Sequence, residues 1–245
     1  MATTGIHIGT SGWSYRDWRE IFYPENLKPA EYLSFYAKEF GVTEINTSFY
    51  HLPKLSTVEG WVQKVPARFY FCPKISRYIT HVKRLLEPEE TLPPFFHVFD
   101  PAKKHLGPVL IQLPPSLTFD AERTAHFFNV LKTNYGHYKF ALEGRHRSWL
   151  SAEATALLQQ YKIAWVIALS GNRWPYAETI TAPHIYIRFH GPDGRYDSLY
   201  PEKTIASFAG KIREWQGQHK IWAFFNNDWH GYALQNARQL TALLK

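Results

Sequence analysis

Eight short apolar runs of strand type recur along the chain: IHIG (6–9), VTEIN (42–46), FYFCP (69–73), VLIQL (109–113), FALE (140–143), AWVIAL (164–169), IYIRFH (185–190) and IWAFFN (221–226). Between most of them the apolar spacing lengthens from two to between three and four, as a helix requires. Tyr32, Leu33, Tyr36, Ala37 and Phe40 form one such stripe, and Tyr232, Leu234, Ala237, Leu240, Leu243 and Leu244 form the last. Ser56 with Glu59 has the capping-box spacing that starts a helix. Asp120 opens AERTAHFFNVLKT, Ser151 opens AEATALLQQY, and Glu202 begins a stretch through Ile205, Phe208, Ile212 and Trp215. Eight strand–helix units in about 250 residues predict an α/β fold, a single-domain (β/α)8 TIM barrel over residues 1–245. A doubly wound open sheet is the alternative, but GTSGW after the first strand is too short for a G-x-G-x-x-G turn. The proline-rich span 74–108 reads as a long irregular excursion containing one or more short helices.

Residues two apart on a strand share a side, which sorts the polar positions. Glu44, Asn46 and Ser48 fall together on strand 2, and Tyr70, Cys72 and Lys74 on strand 3. Leu110 pairs with Gln112, Ala141 with Glu143 and Arg145, and Tyr186 with Arg188 and His190. The last strand aligns Trp222, Phe224, Asn226 and Asp228. The helix-facing side of a barrel strand is apolar, so each polar set faces the axis. Each also lies late in its strand, at the end where barrel active sites are built. The abrupt change in FFNNDWHGY is then strand 8 leaving the core for the mouth, with Asn226, Asn227 and Asp228 at the rim. The competing reading is structural: Arg188 neutralises Glu44 or Glu143 as a buried ion pair.

Composition sharpens this. There are 28 Lys and Arg against 21 Asp and Glu, a formal charge of +7, which favours anionic partners. Aromatic residues make 17% of the chain, with 9 tryptophans, and most must be core. Trp13 and Tyr15, after strand 1, are expected to be exposed stacking surfaces. Lys74, Arg77 and His81 follow strand 3, and Arg145, His146, Arg147 and Trp149 follow strand 5. The result is a cationic, aromatic mouth suited to phosphate or carboxylate.

Other chemistries find less support. No HExxH or other local ligand spacing occurs among the 12 histidines, so no metal or other cofactor is expected, although Glu143, His190 and Asp228 could offer ligands to a divalent ion. No G-x-S-x-G elbow marks a serine nucleophile. Cys72 is the sole cysteine and cannot form an internal disulfide. With no leader-like start and no apolar run of the ~18–20 residues a membrane span needs, a reducing, cytoplasmic setting and no membrane partner are expected.

The ordered series GTSGWSY, FYP, TEINTSFYHLP, FYFCPKISRYITH, LGPVLIQLPPS, EGRHRSW, YIRFHG and FNNDWHGYALQNA closely resembles the YecE-like family, over nearly the whole chain. The resemblance implies a single barrel, with likeness at fold level to the sugar-isomerase and endonuclease IV group, and no established reaction. Two positions depart from the family pattern. Its usual E-F-R-H is Glu143-Gly144-Arg145-His146 here, with Gly144 expected to loosen the backbone. Where relatives often carry an aspartate after strand 6, this chain has Leu169 before Ser170, so any role of that carboxylate has no counterpart.

Three functions follow as expectations. The first is hydrolysis of a phosphate-containing substrate, nucleic acid included. Glu143 would be the general base or acid, with His190 protonating a leaving group and Asp228 orienting substrate or water. Asn46, Lys74, Arg77, Gln112, Arg145, Arg188, Asn226 and Asn227 would bind substrate. The second is a sugar or sugar-phosphate isomerase or lyase, with Glu44 and Glu143 shuttling a proton. The third is a non-catalytic binder of nucleic acid or a phosphometabolite. Oligomeric state is left open.

Overall fold

The computed structural model describes residues 5–245; Met1–Thr4, at the head of the stretch expected to lack a leader and within the expected bounds 1–245, lie outside the described residues. Eight strands form: β1 (Ile6–Thr10), β2 (Val42–Ile45), β3 (Tyr70–Pro73), β4 (Val109–Gln112), β5 (Phe140–Glu143), β6 (Ala164–Leu169), β7 (His184–Phe189) and β8 (Lys220–Phe225). All pair in parallel in the order β3-β2-β1-β8-β7-β6-β5-β4. Bridges Phe71↔Leu106 and Lys74↔Leu110 bring β3 against β4, helped by the Ile75 N–H donating to the Leu110 carbonyl at 2.8 Å. The sheet thus curls into a nearly closed barrel, the architecture expected from the strand–helix units.

The helices are α1 (Tyr32–Glu39), α2 (Thr47–Tyr50), α3 (Leu55–Val62), α4 (Pro88–Phe99), α5 (Ala121–Tyr135), α6 (Ala152–Tyr161), α7 (Glu202–Trp215) and α8 (Tyr232–Leu243). Asp120 and Ser151 cap α5 and α6 as their spacing predicts, accepting from the Arg123 and Ala154 N–H groups at 2.9 and 3.1 Å. Two expectations need correction, and the helix expected in the proline-rich excursion is present. The third helix begins at Leu55 behind an extended Lys54, so Ser56 sits inside its first turn and caps nothing. The proline-rich excursion contains a three-turn helix, α4, with Pro93 and Pro94 inside it. Burial of Leu92, Phe95, Phe96 and Phe99 along one face outweighs the helix-breaking tendency of the prolines. Between β6 and β7 no helix forms at all. The Thr181 hydroxyl accepts there from the Trp165 N–H at 2.7 Å and donates to the Ile163 carbonyl, so a loop covers that flank.

Two apolar layers result. The larger lies between sheet and helices; the smaller fills the barrel with Cys72, Leu110, Ala141, Val166, Ala168, Tyr186, Trp222 and Phe224. At the N-terminal end His7 stacks on Trp222 at 4.0 Å, plugging the axis with an imidazole that burial, helped by Lys220, holds neutral with a pKa of about 4. One seam is unusual. Strands β1 and β2 pair only at Thr10↔Thr43. The Tyr36 hydroxyl enters the gap, accepting from the Thr10 N–H at 3.0 Å and donating to the Val42 carbonyl at 3.0 Å. Gly9 permits this approach, because a Cβ there would fall 2.2 Å from the Val42 oxygen.

Candidate functional site

Alternation along β2, β5 and β7 turns Glu44, Glu143 and Arg188 inward at the C-terminal end, where all three are at most 1% exposed. Arg188 joins both carboxylates. Its Nε and Nη2 donate to Glu44 Oε2 and Oε1 at 3.0 and 2.6 Å, and its Nη1 donates to Glu143 Oε2 at 2.6 Å. The Tyr186 hydroxyl donates to Glu44 Oε2 at 2.8 Å, and Arg145 Nε donates to Glu143 Oε1 at 2.7 Å. Every carboxylate oxygen of this pair is therefore occupied. Burial alone would raise the Glu143 pKa, but the Arg145 and Arg188 guanidiniums outweigh it and hold the group well below the usual carboxylate range. His190 lies 3.5 Å from Glu143 and 3.1 Å from Asn226 Nδ2. Burial, then Arg188, lowers its pKa to about 4, so the ring is neutral at pH 7.

Above this floor opens a cavity of about 450 Å³, lined by Asn46, Phe49, Lys74, Arg77, Gln112, Arg145, Arg188, Tyr196 and Asn226 among others. Lys74 reaches it from the end of β3. Its Nζ donates to Gln112 Oε1 at 2.8 Å and sits 3.8 Å from the Phe49 ring centroid. Arg145 Nη2 donates to the same Gln112 oxygen at 2.8 Å, and its guanidinium lies over Trp174 at 4.3 Å. No carboxylate pairs with Lys74 among the described residues. Burial, reinforced by Arg188, lowers its pKa to about 7. The charge count explains why: two arginines balance two glutamates, leaving Lys74 as the surplus cation.

The remaining expected residues are placed differently. Asn227 turns away from the mouth, donating to the Ser198 carbonyl at 2.9 Å and to Asn236 Oδ1 at 3.0 Å. Asp228 lies past the end of β8 beside a separate cleft of about 320 Å³ shared with Tyr15, Tyr196 and Trp229. Burial pushes its carboxyl well above the usual range, and its Oδ1 has no partner among the described residues. Trp13 and Tyr15 are half-buried rather than exposed. Trp13 packs edge-on against Trp61 at 5.3 Å, and the Tyr15 hydroxyl donates to the Ser11 carbonyl. Ser48 belongs to α2, where its hydroxyl donates to the Lys74 carbonyl at 2.7 Å and so helps hold the end of β3. Gly144 is not a loosening element: a Cβ there would lie 2.7 Å from Trp149, so the glycine makes room for that ring. Sequence reasoning missed Phe49, on the one-turn helix α2, and Tyr196 and Trp174, which come from loops without periodicity.

Two larger grooves, of about 690 and 740 Å³, open at the opposite end of the barrel, far from the buried ion-pair network. Barrel chemistry is built at the C-terminal end, and the smaller cavity alone lies over the buried Glu44–Arg188–Glu143 pairs and Lys74, so it is the candidate site. Among the described residues no group of three or more His, Cys, Asp and Glu is arranged to hold a metal ion, and no helix is long and apolar enough to cross a membrane.

The family described as "Protein of unknown function DUF72" matches residues 7–245. The UPF0759 protein YunF of Bacillus subtilis is 27% identical over 273 residues, covering 98% of this chain and 94% of that one. The UPF0759 protein YecE of Escherichia coli is 28% identical over 141 residues, 58% of this chain and 48% of that one. Among solved structures, a DUF72 family protein of Thermotoga maritima is similar with a TM-score of 0.87 and 31% identity over 98% of both chains. A DUF72 family protein of Enterococcus faecalis has a TM-score of 0.84 at 22% identity, covering 98% of this chain and 95% of that one, which speaks to fold alone.

Proposed function

This chain belongs to the DUF72 family, and we propose that its barrel mouth binds a small phosphate-bearing metabolite of the sugar-phosphate class and performs acid–base chemistry on it. One observation carries the reading: Lys74, a buried cation without a carboxylate partner, lies beside Arg145 in a cavity of about 450 Å³. That volume suits a small ligand, and a surplus buried cation is stabilised by an anion brought in from outside. Arg77, exposed at the rim, adds a third positive charge.

This places the isomerase or lyase reading ahead of hydrolysis. Water activation calls for a carboxylate or imidazole free to take a proton at the mouth. Both oxygens of Glu143 and of Glu44 are engaged. His81, an imidazole lining the cavity, has its pKa lowered to about 4 by burial and Lys74, which makes it a weak base. Lys74, with its pKa near 7, is the better proton carrier. Nucleic acid is also less suited than a small molecule, since a cavity of about 450 Å³ over a buried floor matches a small ligand in size.

The test is calorimetric titration with inorganic phosphate, a triose phosphate, a pentose phosphate and a short oligonucleotide. Phosphate and at least one sugar phosphate should bind. Lys74→Met and Arg145→Met should each weaken binding about tenfold or more, the ~1.4 kcal/mol expected of a lost charge-assisted contact. Binding of the oligonucleotide alone, unchanged in both variants, would remove the mouth from the reading.

A further inference from the structure

We propose that Lys74 is a covalent catalytic residue whose Nζ condenses with the carbonyl carbon of a small phosphate-bearing aldehyde or ketone to form an imine. This rests on the small-anion reading above and names the chemistry of the same site.

Lys74 is the one lysine buried among the described residues, 7% exposed where other lysines reach solvent or ion pairs. A lysine retained only for charge would be expected to meet a carboxylate, and two lie close by. Both are committed to arginine instead: Glu44 to Arg188, Glu143 to Arg188 and Arg145. The partners left to Lys74 are a neutral amide oxygen and an aromatic face, neither of which quenches a nucleophile. Arginine is the better residue for gripping phosphate alone, because its planar fork binds two oxygens and it stays charged. A buried lysine beside two arginines, with no carboxylate of its own, is the arrangement that frees an amine near neutral pH. Burial together with Arg188 lowers the Lys74 pKa to about 7, so free amine is accessible near neutral pH.

The remaining groups divide the substrate sensibly. Arg145 and Arg77 line the same cavity and can hold the phosphate, which places the carbonyl end of a compact substrate toward Lys74. The free amine attacks the carbonyl carbon, and the C=O π pair moves to oxygen. The nitrogen sheds a proton and the oxygen gains one, giving a carbinolamine. Protonation of that hydroxyl lets water depart as the C=N bond closes. Nothing is oxidised, and one water is the only by-product. The protonated imine then acts as an electron sink for proton removal, or for carbon–carbon cleavage, at the adjacent carbon.

The experiment is reductive trapping of the full chain with dihydroxyacetone phosphate and sodium cyanoborohydride, mapped by peptide mass spectrometry. Calorimetry of the same compound without reductant is run alongside. The adduct should form at Lys74 at least about tenfold faster than at any other lysine, as expected for a bound, oriented reactant. Its rate should rise through pH 7, whereas solvent-exposed lysines respond near pH ~10.4. Excess inorganic phosphate should suppress it. Lys74→Arg, which keeps the cation but has no nucleophilic amine, should lose the adduct. The wild-type map and pH profile decide the matter even if that variant folds poorly. Binding without preferential labelling of Lys74 overturns the imine and leaves the small-anion reading standing. Neither binding nor labelling overturns both.

Discussion

Replacing Arg188 by methionine tests whether the floor of the mouth is an electrostatic keystone. The guanidinium makes three charge-assisted hydrogen bonds of 2.6–3.0 Å to two carboxylates, and all three residues are at most 1% exposed. In Arg188→Met, Glu143 keeps Arg145, but Glu44 keeps only the Tyr186 hydroxyl. Stranding a buried carboxylate in this way costs about 3–5 kcal/mol. In a chain of this length each kcal/mol lowers Tm by about 2–4 °C, so a fall of about 6–20 °C is expected. The pH dependence is diagnostic. In the parent, Glu143 has a depressed pKa, so its contribution is complete above the unfolded carboxylate value and is lost as pH falls through the folded one. In the variant Glu143 keeps only Arg145 of its two arginines, so that contribution is smaller. The gap between the two proteins should therefore be widest at pH 7 and should narrow toward pH 4. Urea unfolding at pH 7, 5.5 and 4 measures it, and adding Glu44→Gln to Arg188→Met should recover most of the loss. A loss below about 1 kcal/mol, or one independent of pH, would refute the idea that Arg188 compensates a buried charge.

Removing one hydroxyl should also be costly at the β1–β2 seam. Tyr36→Phe leaves the Thr10 N–H and the Val42 carbonyl unpaired in the core, for an expected loss of about 1–3 kcal/mol in chemical denaturation; a neutral result would mean the strands close up without it. Sulfate, which does not titrate near neutrality, should bind less tightly as pH rises from 6 to 8, because Lys74 loses its proton at about 7. Lys74→Met should flatten that dependence, and a flat profile in the parent would show that Lys74 does not meet the anion.

The barrel was legible because strand and helix periods are local properties of the backbone. All eight strands were found within a residue or two of their ends, and alternation correctly turned Glu44, Lys74, Gln112, Glu143, Arg188 and Asn226 toward the axis. Asn227 shows the same rule from the other side. Its parity is opposite to that of Asn226, and assigning it to the mouth ignored the alternation that places it against Asn236. Parity fails just past β8: Asp228 shares the inward register of Asn226, yet the turn carries it to a neighbouring cleft beside Tyr15.

What sequence alone could not decide is who pairs with whom across the barrel. Glu44 and Arg188 stand 144 positions apart, and their meeting depends on the stagger of strands around the axis, which no local pattern encodes. From that pairing follows everything distinctive about the site. Once Arg188 and Arg145 have taken both glutamates, Lys74 is left buried, uncompensated and easily deprotonated. The sequence determined which side chains face the axis, because that is geometry within a strand. Only the closed barrel decided which charges cancel and which is left over, because cancellation depends on distances in a space the chain must first enclose.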